Sequence, residues 1–234
     1  MDQSYQEAVK WYGLAAERGH AASMLYLAAL YIAEKREDKY AESLEWLKKA
    51  VALGRLDAQY YLASLYAAGQ AVEQDYAEAA RLARPAAEQG YPQAQTLLGY
   101  LLVFGLLGEP DYDEGLKFLK SAAGQGDVWA QYYLSTVYFY GQGMEMDIVQ
   151  AWKWLEASAE GGVADAQVGM GRAYENGFGM FASKNPDKAA EWYKLAADQG
   201  HDEAVAALKR LAEEKAPVSP PDSEPRQGID PPRQ

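Results

Sequence analysis

Apolar and polar positions alternate along this chain with a helical period, and the pattern restarts each time at a glycine. Six alanine-rich turns end at Gly19, Gly54, Gly90, Gly126, Gly162 and Gly200, spaced by 35, 36, 36, 36 and 38 residues. Eight residues before these glycines stand Trp11, Trp46, Leu82, Phe118, Trp154 and Trp192. Three and four before them stand mostly alanines: Ala15 and Ala16, Ala50 and Val51, Ala86 and Ala87, Ala122 and Ala123, Ser158 and Ala159, Ala196 and Ala197. These spacings share one helical face, so the large residue is expected in the core beside small ones that let a neighbouring backbone approach.

After each glycine a second amphipathic pattern starts. A small residue follows four positions on (Ser23, Ala58, Ala94, Ala130, Ala166, Ala204) and an aliphatic one eight on (Leu27, Leu62, Leu98, Leu134, Met170, Leu208). In the first five units a large residue follows twelve on (Tyr31, Tyr66, Leu102, Tyr138, Tyr174). Gly99 and Gly171 interrupt these helices at a cost of about 1 kcal/mol each, which predicts tight helix crossings there.

Helix starts carry the same phase. Asp75, Asp111 and Asp147 are followed three residues later by Glu78, Glu114 and Gln150, and Ser4 is followed by Glu7, the spacing of a capping box. Asn185-Pro186 supplies an amide cap and a proline at the first helical position. The connectors ahead of the caps carry Gly69, Gly105, Gly108, Gly141, Gly143, Gly177 and Gly179.

A period of this length marks a solenoid, in which each helical hairpin buries its apolar face by stacking on its neighbours. The residues themselves name a family. Trp11-Tyr12 through His20, Ala58-Gln59-Tyr60-Tyr61-Leu62, Ala130-Gln131-Tyr132-Tyr133-Leu134 and Asp75-Tyr76 to Ala79 resemble the Sel1-like repeat, a relative of the tetratricopeptide repeat. The resemblance spans residues 4 to 211. It implies an all-α, right-handed superhelical α/α solenoid of about six Sel1-like helical hairpin repeats. Departures are the glycine-free loop Glu34–Lys39, Gly115 in place of alanine, and Lys209 in place of a small residue. Family members are mostly adaptors and scaffolds, among them bacterial envelope, virulence and toxin-immunity proteins and eukaryotic degradation adaptors. The implied partner is therefore another protein, a toxin or effector or a component of an envelope complex.

Composition narrows the alternatives. At 234 residues and 49% hydrophobic content the chain can bury one long, thin core. A net charge of −12 opposes binding to nucleic acid or an anionic membrane surface, and the clustered Lys and Arg that phosphates require are absent. No apolar run approaches the ~20 residues of a membrane span. Met1 leads directly into a helical pattern, which leaves two compartments open: the cytoplasm for the sequence as written, the periplasm if an export signal has been removed.

Two domain-level segments are expected, a solenoid over 1–215 and a tail over 216–234. The tail holds six of the ten prolines and almost no apolar content, and is expected to be disordered. Ser4 to Gly19 reads as the trailing helix of a hairpin without its leading helix. At the other end Lys209, Arg210, Glu213, Glu214 and Lys215 give the last helix the polarity of a solenoid cap.

Catalytic chemistry finds little footing. Cysteine is absent, which excludes thiolate metal sites and cysteine nucleophiles. The two histidines, His20 and His201, occupy equivalent turns at opposite ends of the array and cannot share a site. Asp113 lies close to Asp111, but Asp111 is committed to a cap. No metal, cofactor or catalytic residue is expected.

Binding residues are expected on the outward face of the second helices, three, six, ten, thirteen and fourteen residues after each glycine. These are Ala22, Leu25, Ala29, Ile32 and Ala33, then Asp57, Tyr60, Ser64, Ala67 and Ala68, then Gln93, Thr96, Tyr100, Val103 and Phe104. Unit four gives Trp129, Tyr132, Thr136, Phe139 and Tyr140; unit five gives Asp165, Val168, Arg172, Glu175 and Asn176. The expected site is an aromatic groove of Tyr60, Tyr100, Phe104, Trp129, Tyr132, Thr136, Phe139 and Tyr140, with Arg172 and Glu175 orienting a partner by charge. Trp129 stands where other units place Asp57, Gln93, Asp165 and Glu203, leaving open an interface anchor or a ring folded back over the turn onto Tyr91 or a neighbouring helix. The expected function is a non-enzymatic protein-binding scaffold, with a dedicated immunity protein that inhibits one toxin as the alternative.

Overall fold

The computed structural model describes residues 3–215, so the segment 216–234, expected to be disordered, lies outside the described residues. Among the described residues twelve α-helices follow one another: α1 (Gln3–Glu17), α2 (Ala21–Ala33), α3 (Tyr40–Ala52), α4 (Leu56–Ala68), α5 (Tyr76–Glu88), α6 (Pro92–Val103), α7 (Tyr112–Gly124), α8 (Val128–Tyr140), α9 (Ile148–Glu160), α10 (Ala164–Asn176), α11 (Pro186–Ala197) and α12 (Asp202–Lys215). A 3₁₀ turn, Glu37–Lys39, replaces the glycine loop ahead of α3. The β-type pairing among the described residues is an isolated bridge between Phe178 and Ala182.

Capping explains the helix starts. Asp75, Asp111 and Asp147 accept the backbone N–H of Glu78, Glu114 and Gln150 at 2.9, 3.0 and 3.0 Å. Asn185 accepts from Asp187 and Lys188, with Pro186 at the first helical position. The reciprocal half of the box is replaced: Glu78 binds Arg81 and Glu114 binds Arg84. A bidentate, charge-assisted guanidinium contact outcompetes one backbone N–H. Ser4 lies within α1 (Gln3–Glu17).

The helix ends explain the glycines. At Gly90 the backbone is left-handed (φ +85°), the Gly90 N–H donates to Ala87 O at 3.0 Å, and the Tyr91 N–H donates to Ala86 O at 3.0 Å. The same paired bonds and positive φ recur at all six anchors, each turning the chain directly into the next helix.

Packing confirms the small positions and corrects the large one. The residues four after each glycine are buried, from Ser23 through Ala204. Of the residues eight before, only Phe118 is buried; Trp11 is 64% exposed and Trp46, Leu82, Trp154 and Trp192 are half-buried. The seam runs one position later, through Leu47, Ala83, Leu119 and Tyr193. That position lies three and four residues ahead of the alanine pair and so shares its face, whereas the tryptophan sits at the flank. Lysines cover several of these flanks, with Lys49 Nζ 4.3 Å from the Trp46 ring centre and Lys153 Nζ 5.0 Å from Trp154.

The expected tight crossings exist. A Cβ on Gly99 would stand 2.8 Å from Leu119 Cγ and 2.9 Å from Gly115 O. Gly115, the departure from alanine, belongs to the same close approach of α6 and α7, since its own Cβ would meet Val103 Cγ2 at 2.6 Å.

Helices pack with their sequence neighbours, most extensively across the long loops that join α2 to α3, α4 to α5, α6 to α7, α8 to α9 and α10 to α11. Among the even-numbered helices, α6 also approaches both α4 and α8, while α5 and α7 are bridged by the long Arg84–Glu114 side chains rather than by close backbone approach. Over α4 to α8 the solenoid therefore curves with its even-numbered helices on the inside. No helix among the described residues is long and apolar enough to cross a membrane.

Candidate protein-binding groove

On the inner face the second helices present aromatic residues that their own seams cannot absorb. Not every outward position stays outward: Leu25, Ile32, Thr96, Val103 and Val168 are buried, correcting the expectation for them. They lie six and thirteen residues after their glycines, where the side chain turns toward the adjacent helix and a small or aliphatic group fits. In α8 the same two positions hold Tyr132 and Phe139, which are too large for that seam; Tyr132 is half-buried and Phe139 is exposed.

Two hollows collect most of the expected residues. The smaller, of about 130 Å³, is lined by Tyr60, Tyr100 and Trp129 together with Gln93, Thr96, Leu97, Asp127 and Tyr133. Asp127 caps α8 through the Ala130 N–H and accepts the Thr96 hydroxyl, both at 2.9 Å, which fixes the carboxylate at its edge. Trp129 is 45% exposed, and its ring lies 6.1 Å from Tyr132 and 6.2 Å from Tyr133. Tyr91 pairs instead with Tyr60, so the fold-back of Trp129 onto Tyr91 does not occur.

The larger hollow, of about 370 Å³, lies between α8, α9, α10 and the loop that follows α10. Tyr132, Thr136, Phe139, Tyr140 and Arg172 line it, with Ser135, Trp152, Asp165, Asn176 and Phe178. Phe139 and Tyr140 meet edge to face at 5.0 Å, and Phe139 reaches Phe178 at 6.2 Å.

Two expected residues serve the chain's own packing. Phe104 lies 5.1 Å from Tyr100 and 5.9 Å from Tyr133, outside both hollows. Glu175 accepts the Tyr193 hydroxyl at 2.7 Å and pairs with Arg210 at 2.6 Å. Burial opposes its charge, but these two partners outweigh burial and hold the Glu175 carboxyl below the usual range. Arg172 pairs with Glu203, which raises the guanidinium further above its already high value.

Sequence periodicity missed Tyr133, Trp152, Phe178 and Asp127. Tyr133 bridges the Tyr100–Phe104 pair to Trp129, and burial, with Tyr100 and Tyr132 close by, pushes its phenol well up. Its signal is an aromatic seven after the glycine, inside the Ala130–Leu134 repeat motif and outside the set of outward positions. Trp152 comes from a first helix and Phe178 from a loop, outside any rule confined to second helices.

A Sel1 repeat model matches residues 1–20, 21–54, 56–91, 92–127, 130–163 and 164–201. The chain belongs to the Sel1 repeat family. Each full Sel1 match pairs an even-numbered helix with the odd-numbered one after it, the pairs that pack most extensively, and the match to 1–20 covers α1 alone.

A Sel1 repeat protein from Oxalobacter formigenes superposes with a TM-score of 0.66 at 30% identity, over 87% of this chain and 58% of that one. A protective antigen of uropathogenic Escherichia coli displaying an SLR fold gives 0.63 at 31% identity, over 89% of this chain and 44% of that one. The Sel1 chain thus spans about half the length of these relatives. An immunity protein from Pseudomonas aeruginosa shares the fold with a TM-score of 0.53 at 24% identity, over 91% and 79% of the two chains. No protein of curated function matches the chain.

Proposed function

We propose that this Sel1 solenoid is a non-enzymatic scaffold that binds a protein partner along its inner face. The observation that carries the reading is the exposure of Trp129 in the first turn of α8 and of Phe139 and Tyr140 in its last, at 45%, 39% and 69%, beside the two hollows. Large rings left in water at the mouth of a concavity are the residues that anchor protein interfaces. Tyr60, Tyr100, Tyr132, Thr136 and Arg172 extend the surface on either side. Phe104 and Glu175 support it from behind, so charge orientation falls to Arg172 and the neighbouring carboxylates.

The non-enzymatic reading is supported by where the titratable groups sit. Asp111 caps α7, Asp113 is exposed beside it, His20 lies 2.8 Å from Ser23 at the start of α2, and His201 stands at the far end of the array. The alternative, an immunity protein that neutralises one toxin, draws on the shared fold with the Pseudomonas aeruginosa immunity protein. A single one-to-one partner would favour immunity; several partners of lower affinity would favour an adaptor.

The test is affinity capture with the wild type and with Trp129→Ala and Phe139→Ala in parallel. Truncating a central aromatic anchor costs ~2 kcal/mol or more, about thirtyfold in affinity. A partner held equally by all three proteins would place the binding surface elsewhere.

A further inference from the structure

The loop between α10 and α11, residues 177–185, is longer by two than its counterpart 141–147 between α8 and α9. In repeat arrays such insertions gather on one face, often the binding face. Here the extra length folds as a tight turn in which the Phe178 N–H donates to Ala182 O at 2.7 Å and the Ala182 N–H donates to Phe178 O at 3.2 Å. Phe178 and Phe181 stack on Trp152 at 5.9 and 5.6 Å. The insertion thus places Phe178, backed by Phe181 and Trp152, as an aromatic wall of the larger hollow beside Phe139.

The charge inside that wall is uneven. Arg172 is matched by Glu203, whereas Asp165 faces His201 Nε2 at 3.5 Å, and no lysine or arginine among the described residues forms an ion pair with it. An apolar occupant would cover a carboxylate without compensating it, which is costly. An acidic occupant would meet Asp165 and a chain of net charge −12. A cation over aromatic faces beside a carboxylate satisfies both constraints.

We propose that the larger hollow receives a lysine or arginine side chain from a basic segment of the partner protein, its stem along Phe178 and Tyr140 and its charged head toward Asp165. This deepens the reading of the inner face as a protein-binding surface and rests on it.

The probes are the capped pentapeptides acetyl-Gly-Gly-X-Gly-Gly-amide with X as arginine, lysine, glutamate or leucine. They are titrated into the ¹⁵N-labelled full chain while the indole N–H signals of Trp152 and Trp129 are followed, Trp152 being assigned through Trp152→Phe. The arginine or lysine peptide should move the Trp152 signal saturably, and Asp165→Asn, with an unchanged melting temperature, should weaken that binding about tenfold. The leucine and glutamate peptides should leave the signal in place. Equal binding of the leucine peptide, a stronger response to glutamate, no response to either cation, or full retention of affinity in Asp165→Asn would each overturn the assignment. The wider groove reading is decided separately by capture with Trp129→Ala, so a failed cation site and a misplaced groove give different results.

Discussion

At Gly171 a Cβ would stand 2.6 Å from Tyr193 Cε1, and Tyr193 is 1% exposed with its hydroxyl held by Glu175, so the ring has nowhere to retreat. Gly171→Ala should therefore destabilise the chain by about 1–3 kcal/mol through overpacking. At Gly13, inside α1, a Cβ would meet nothing within 4 Å. Gly13→Ala should stabilise by about 0.5–1 kcal/mol, because alanine restricts the unfolded chain without a clash. Urea melts of the two variants should move in opposite directions; a common sign would mean that the α10–α11 crossing relaxes freely. Glu175 adds a pH dependence. Its folded carboxyl titrates below the ordinary glutamate value of about 4.3, so its contribution is fully present above that pH and is lost as pH falls through the lower folded value. The gap in melting temperature between wild type and Glu175→Gln should be widest near neutrality and shrink in acid. A gap independent of pH would show that Tyr193 and Arg210 act on Glu175 through shape alone.

Between elements, a glutamine ladder that periodicity did not reveal ties one repeat to the next. Gln95, 6% exposed, donates to Ala87 O at 3.0 Å and accepts from Gln125 Nε2 at 3.0 Å; Gln167 and Gln199 repeat the arrangement one pair of units later. Between them the ladder breaks. Gly161 stands where Gln125 and Gln199 stand in their units, and Gln131 Oε1 is buried without a partner. A double-mutant cycle on Gln95→Ala and Gln125→Ala should show a coupling of about 1 kcal/mol, whereas Gln131→Ala should cost less than Gln95→Ala because half of its hydrogen bonding is already missing. Additive melts for the first pair would remove the ladder from the account of stability. The helices themselves were legible because Asp75, Asp111, Asp147 and Asn185 cap them and the six glycines end them, all local chemistry. The groove was legible only in part: Trp129, Phe139 and Tyr140 depend on the phase of one helix, but the hollow beside them is completed by Trp152 and Phe178 from two other elements. A one-position phase error, as at Trp46 against Leu47, also exchanges a flank for a seam.

For the whole molecule, packing is almost entirely between sequence neighbours, so stability should behave as a sum over units and interfaces; among the described residues α1 packs extensively on α2 alone and α12 on α11 alone. α6 and α7 pack most extensively and lie centrally, their approach made close by Gly99 and Gly115. The junctions of α3 with α4 and of α9 with α10 are the least extensive between successive helices. Native-state hydrogen exchange should show the slowest amides in α6 and α7, faster exchange toward α1 and α12, and a step in protection between α9 and α10. The larger hollow straddles that same junction, walled by Trp152 and Leu155 of α9 and by Gly169 and Arg172 of α10, with α8 on its other side. A partner side chain seated there would clamp α8 to α10 across the weakest part of the C-terminal half. Because ligand bound to the folded state alone stabilises it by RT ln(1 + [L]/Kd), partner at a hundredfold excess over Kd should add about 2.7 kcal/mol. That protection should concentrate in α9 and α10, with little change in α2 and α3. Uniform protection of all twelve helices on binding would mean that the array unfolds as one unit and that the junction has no special role.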